Sequence, residues 1–184
     1  MRLDAGLFNQ INHGLHNSFF DFIMPLISRA GEGGLIWIVF GLAMFFSGRP
    51  VVKRAALLML AALLVSYLAG EEGLKHLFRR PRPFETLPGV DLLVPPPHSF
   101  SFPSGHAANA FASGLVLARK IPALALPALS LAVVMSFSRV YVGVHYPLDV
   151  VGGALLGAAC ALLVLKGEAA VLHVPEKTKP PFMS

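Results

Sequence analysis

Long stretches without a single charge divide this chain. Residues 33–48, 55–70, 92–118, 121–138 and 150–165 contain no Asp, Glu, Lys or Arg. A transmembrane helix needs about 20 consecutive, mostly apolar residues. Three of the runs have 16 residues. Their flanks carry Lys53, Arg54 and Lys166, whose apolar stems can lie in lipid while the charged heads reach water. Charged residues make up 14% of the chain, against about 25% in soluble globular domains, and mean hydropathy is +0.66. This excludes a disordered chain, a coiled coil and an ordinary soluble enzyme. It leaves a multi-span membrane protein, and 184 residues make one domain.

The run 92–118 is not helical throughout, because Pro95, Pro96 and Pro97 forbid a helix there. The pattern therefore predicts an all-α integral membrane helical bundle with five transmembrane helices, at 33–49, 54–76, 103–119, 121–139 and 147–166. Ahead of them, Leu3, Leu7, Ile11 and Leu15 form one apolar stripe, and the apolar stretch Phe19 to Ile27 is broken by Asp21 and Pro25. Residues 3–28 are expected as two short interfacial helices rather than a span. No cleavable signal peptide is expected, since no apolar core follows Arg2. The expected organisation is a single membrane domain over 1–184: interfacial helices in 1–30, a core in 31–166 and a mobile cytoplasmic tail in 167–184.

Five spans place Arg49, Lys53 and Arg54, then Arg119 and Lys120, then Lys166, Lys177 and Lys179 on one side, which the positive-inside rule makes cytoplasmic. The net charge of +5 is thereby read as loop basicity, and no nucleic-acid partner is expected. The opposite side holds the N-terminus, the loop 71–102 and the loop near 140–147. The lone Cys160 gives neither a disulfide framework nor a cysteine metal cluster.

The loop 71–102 is also basic, and its cations have a partner set. Helix parity brings three polar clusters to one membrane face: Lys75 and Arg82 in KHLFRRPRP, Pro103 to His106 in PSGH, and Arg139, His145 and Asp149 in SRVYVGVHYPLD. Guanidinium forks match a tetrahedral oxyanion. Ser104 and Gly105 sit at a helix start, where free N–H groups and the helix dipole favour an anion. The implied ligand is phosphate. Of His106 and His145, one can attack phosphorus and the other can protonate the leaving oxygen. Asp149 lies four residues after His145 and can fix its tautomer. Taken singly, each cluster has a plainer explanation as a helix cap or a membrane-boundary basic loop. A metal site at His106 and His145 is the rival, disfavoured by the surrounding cations and the scarcity of carboxylates, so neither metal nor cofactor is expected. His13, His16, His76, His98 and His173 are read as structural or surface residues, and Glu71 and Glu72 as solvated salt-bridge partners of Lys75 or Arg79.

Together the clusters read K-x(6)-R-P at 75–83, P-S-G-H at 103–106 and S-R-x(5)-H-x(3)-D at 138–149. This resembles the three-part signature of the type 2 phosphatidic acid phosphatase superfamily. The resemblance implies a metal-independent membrane lipid phosphatase. It implies His145 as nucleophile, oriented by Asp149, and His106 as general acid. Lys75, Arg82, Ser104, Gly105 and Arg139 are implied to hold the phosphate oxygens. The segment FNQINHGLHNSFFDFIM resembles that of short bacterial undecaprenyl diphosphate phosphatases, whereas Gly105 with a complete first motif is closer to phosphatidylglycerophosphate, phosphatidate or lipid A phosphatases. Undecaprenyl diphosphate is the leading expected substrate, at the extracytoplasmic face of a bacterial-type cell membrane, with a lipid phosphate and membrane lipids as partners. A non-catalytic lipid-phosphate binder or transporter is the alternative of another class.

Overall fold

The computed structural model describes residues 2–172. Among them every regular element is helical: α1 (Arg2–Asn12), α2 (Ser18–Ala30), α3 (Leu35–Phe45), α4 (Pro50–Tyr67), α5 (Lys75–Phe78), α6 (Pro83–Thr86), α7 (Gly105–Lys120), α8 (Ala125–Tyr141) and α9 (Pro147–Leu172). A π-helical segment, Leu68–Leu74, joins α4 to α5 without a break. No element forms around Pro95–Pro97, as their missing N–H groups dictate.

By length and apolar character alone, three helical stretches qualify as spans: Pro50–Thr86, Pro122–Tyr141 and Pro147–Val171. A fourth qualifies if α2 and α3 are one broken span, bent by 51°. For residues 3–28 two short helices are expected. Two helices are present there, but the second runs on through Gly31 into α3. The bend falls where Gly33 and Gly34 both take positive φ, a conformation that costs glycine little. Asp21, which broke the apolar pattern, accepts a hydrogen bond from the Tyr141 hydroxyl at 2.6 Å and lies 2.7 Å from His16 Nδ1.

At the centre lies α7, packed against α4, α8 and α9. It has 16 residues, about 24 Å at 1.5 Å per residue, and falls outside the spans defined by length and composition. Its buried positions are mostly small: Ala107, Ala108, Ala110, Ala112, Ser113 and Gly114. Small residues let helices approach closely. Gly153 and Gly157 on α9 complete the contact, since a Cβ at either would strike the α7 backbone at Ser104 or Ala108.

The two ends of the bundle differ in charge logic. At one end Arg54 at the start of α4, Lys120 at the end of α7 and Glu168 near the end of α9 form an ion cluster, with Arg54 Nε 2.5 Å from Glu168 Oε1. At the other end lie the start of α7, the end of α8 and the start of α9. Helix α9 continues to Leu172, beyond the expected end at 166, while residues 173–184 of the expected tail, with His173, lie outside the described residues.

Candidate active site

At that second end a cavity of about 680 Å³ opens, with Lys75, Arg82, Gly105, His106, Arg139 and His145 on its wall. These come from three separate parts of the sequence. Lys75 stands where the π segment gives way to α5, and its Nζ donates to Ser99 Oγ at 3.0 Å. Arg82 is 2% exposed, and its guanidinium is tied down almost completely. It donates to the carbonyls of Ser99 (2.7 Å), Val144 (2.8 Å) and Phe100 (3.2 Å), and to Ser99 Oγ (3.2 Å). So fixed, the guanidinium places its charge on the cavity wall at no further ordering cost, and an oxyanion there would take over one of its existing bonds. Arg139, in the last turn of α8, donates to Ser28 Oγ, but its buried Nε has no hydrogen-bond partner. An unpaired buried guanidinium N–H is costly, and an oxyanion in the cavity would satisfy it.

His145 follows a turn whose Gly143 has φ +87°. Arg82 Nη1 lies 3.2 Å from His145 Nε2. Arg82 can only donate, so Nε2 carries the free lone pair and Nδ1 the proton. Burial, with Arg82, Arg139 and Lys75 adding repulsion, holds the His145 imidazole well below its ordinary pKa. The neutral imidazole is therefore favoured.

Asp149 lies beside His145, with Oδ2 3.6 Å from Nδ1, an ion contact longer than a hydrogen bond. Its hydrogen bonds go elsewhere. Oδ2 accepts from Ser101 Oγ at 2.5 Å and from the Tyr146 N–H at 2.9 Å, while Oδ1 accepts from Arg80 at 2.6 Å. Ser101 Oγ in turn lies 3.5 Å from His145 Nδ1, so serine and carboxylate together face the protonated nitrogen.

His106 enters from the first turn of α7, and its Nε2 donates to the Ser28 carbonyl at 3.0 Å. Ser104 caps that helix, with Oγ accepting from the Ala107 N–H at 3.5 Å and its own N–H donating to Asp149 O at 2.9 Å. It is fully buried and lies behind the cavity wall, as does Asp149. All eight signature residues thus converge, six on the wall and two immediately behind it.

Sequence reasoning passed over several partners. Arg80, read as loop basicity, bridges Asp149 and Asp4 (2.5 Å) and lies 4.1 Å above the Tyr146 ring. Asp4 is buried and also accepts from the Leu148 N–H at 3.0 Å, which ties α1 to the start of α9. Ser28, Ser99 and Ser101 carried no signal, since their partners lie at least 17 residues away in sequence. Glu71 does pair with Lys75, at 2.8 Å as its spacing allowed, but inside the cavity rather than on a solvated face. His98, read as structural or surface, also lines the cavity. Among the described residues no cluster of three or more His, Cys, Asp or Glu side chains could hold a metal ion.

A helical membrane bundle with a cationic, imidazole-bearing pocket at one end is the class of protein that this fold and site define. The sequence profile of the PAP2 superfamily matches residues 55–171, and the chain belongs to that superfamily of membrane lipid phosphatases. An undecaprenyl-diphosphatase from Sulfolobus acidocaldarius is 32% identical over 148 residues, covering 79% of this chain and 69% of that protein. Among solved structures, Aquifex aeolicus LpxE superimposes with a TM-score of 0.79 at 30% identity, covering 89% of this chain and 95% of that one. A transmembrane PAP2-type phosphatidylglycerolphosphate phosphatase from Bacillus subtilis superimposes with a TM-score of 0.75 at 28% identity, covering 95% and 88%.

Proposed function

We propose that this phosphatase removes the terminal phosphate of undecaprenyl diphosphate through a phosphohistidine at His145. The observation that carries the mechanism is the unprotonated Nε2 of His145, which accepts from Arg82 Nη1 at 3.2 Å, beside a cavity walled by Lys75, Arg82 and Arg139; the Arg82 N–H passes from Nε2 to a phosphoryl oxygen as attack begins. In the first step Nε2 attacks phosphorus and a P–N bond forms as the bond to the leaving oxygen breaks. His106 enters this step as an imidazolium, keeps its Nε2–H on the Ser28 carbonyl and gives its Nδ1 proton to that oxygen. Lys75, Arg82, Arg139 and the α7 N-terminus at Gly105 hold the phosphoryl oxygens, with Ser104 capping that helix from behind the wall. In the second step water attacks phosphorus, His106 accepts its proton, and the P–N bond breaks to release inorganic phosphate and restore His145. Asp149 orients His145 and balances the positive charge it gains.

The choice of undecaprenyl diphosphate rests on the Sulfolobus relative and the N-terminal segment. A glycerophospholipid phosphatase is the second reading, favoured by the superposition on the Bacillus subtilis enzyme. Phosphate release in detergent from undecaprenyl diphosphate, phosphatidylglycerophosphate, phosphatidate and lipid A separates them. The highest kcat/KM is expected for the diphosphate, and a higher value for a glycerophospholipid selects the second reading. No turnover of any lipid, with binding retained, would establish a non-catalytic binder or transporter. Three fixed cations supply the charge compensation that a metal ion could otherwise give, so turnover is expected to survive EDTA. Loss with EDTA and recovery with a divalent ion contradicts the mechanism. Vanadate, which can take the five-coordinate geometry of phosphoryl transfer, is expected to inhibit.

The active site is proposed to face away from the cytoplasm in a bacterial-type cell membrane. Arg54 and Lys120, with Arg49, Lys53 and Arg119 close to them in the chain, mark the opposite end of the bundle. In a Cys160→Ser background, Thr86→Cys is expected to react with an impermeant thiol reagent in intact cells. Labelling only after permeabilisation inverts the orientation.

A further inference from the structure

The cationic cavity includes a carboxylate of its own, Glu71. Glu71 lies within the π segment Leu68–Leu74, the kind of helical irregularity that often accompanies functional sites. Its carboxylate points into the cavity, 2.8 Å from Lys75 Nζ. It also rests on the first residue of α7: a Cβ on Gly105 would collide with Oε1 and come within 3.4 Å of Cδ. The carboxylate therefore stands beside Gly105 at the start of α7 and beside the lysine that a phosphoryl group would use. Carboxylate and phosphoryl oxygens seek the same donors, and two anions in one pocket repel. Ser99 and Glu71 take two of the three Lys75 N–H groups, so a phosphoryl oxygen competes with the carboxylate for the charge of Lys75 and for space beside it.

We propose that Glu71 is a displaceable occupant of the cradle. It holds Lys75 and covers the α7 N-terminus until a phosphoryl group takes its place, and its return assists the departure of inorganic phosphate. This rests on the proposed phosphate-binding role of the cradle. It makes Glu71 a positioning residue that sets how tightly phosphate is held, and it accounts for a carboxylate among cations that the chemistry itself does not use. It also gives Gly105 a second reason to lack a side chain, since any substituent would contest the space that Glu71 fills.

The test uses the full chain in detergent and inorganic phosphate as the probe. Two readouts are followed for wild type, Glu71→Gln and Glu71→Asp: the inhibition constant for phosphate and the rise in melting temperature it produces. Glu71→Gln keeps the shape and removes the charge. It is expected to tighten phosphate binding by about 5-fold or more, the low end of typical coupling between ligands, and to raise the melting temperature further at equal phosphate. Its kcat is expected to fall as product release slows. Glu71→Asp keeps the charge and is expected to stay near wild type. A residue that merely braced Lys75 would give the reverse, with weaker phosphate binding in Glu71→Gln. Weaker or unchanged binding there, with wild type inhibited by phosphate, overturns the role of Glu71 and leaves the cradle intact. No effect of phosphate or vanadate on wild type overturns both.

Discussion

His145→Ala is expected to abolish turnover on every lipid phosphate and on nitrophenyl phosphate alike. In the proposed mechanism the P–N bond to Nε2 is the covalent step, and the other imidazole of the motifs, His106, serves as proton donor. Deleting the nucleophile of a covalent enzyme costs on the order of 10⁴ to 10⁶ in kcat, and a loss in that range is expected here. The substitution also frees the Arg82 N–H that faces Nε2. Because Arg82 keeps its bonds to the carbonyls of Ser99, Phe100 and Val144, the cationic wall is expected to survive. Vanadate lacking a covalent partner should bind more weakly to this variant, while inorganic phosphate should still bind. Turnover within 10-fold of wild type, in a variant that still binds phosphate, would remove His145 from the chemistry; 10-fold is about 1.4 kcal/mol of barrier.

His106→Ala is expected to lose activity according to the leaving group. A general acid contributes about 10² to 10⁴-fold. A lipid alkoxide leaving from a phosphomonoester needs the proton, so the loss should lie near the top of that range. Nitrophenolate leaves without one, and its loss should be small. A lipid monophosphate leaving from a diphosphate lies between. Initial rates of His106→Ala on the three substrate types measure this gradient directly. An equal loss on all three would assign His106 to phosphate binding instead, a role its contact with the Ser28 carbonyl also permits.

The convergence of these residues was legible in the chain because they lie in short linear strings that helix parity brings to one end of the bundle. Lys75 with Arg82, Ser104 to His106, and Arg139 with His145 and Asp149 each lie at or beside a helix end, and the five expected helices fix which end. What surrounds them was not legible. Arg80 reads as one more cation in a basic loop until Asp4, from 76 residues earlier, is found beneath it. Ser101 reads as loop polarity until α9 carries Asp149 to within 2.5 Å of its hydroxyl. Glu71 was legible as a partner of Lys75 from its spacing, but whether that pair faces solvent or cavity depends on where α7 begins. In the N-terminal region the two helices were legible from the apolar stripe and its interruptions, but His16 and Tyr141, the partners of Asp21, were not, nor was the bend that Gly33 and Gly34 place between α2 and α3. The central helix α7 is rich in Ala, Gly and Ser because neighbours press on it closely, so its apolar signal is weak where its structural role is greatest.

The most direct measurement of the central claim is rapid-quench labelling with substrate carrying ³²P in its terminal phosphate, run on wild type, His145→Ala and His106→Ala. Acid-labile label on the protein is expected in wild type and in His106→Ala, and none in His145→Ala. Label that persists in His145→Ala and disappears in His106→Ala would contradict the account by exchanging the roles of the two histidines.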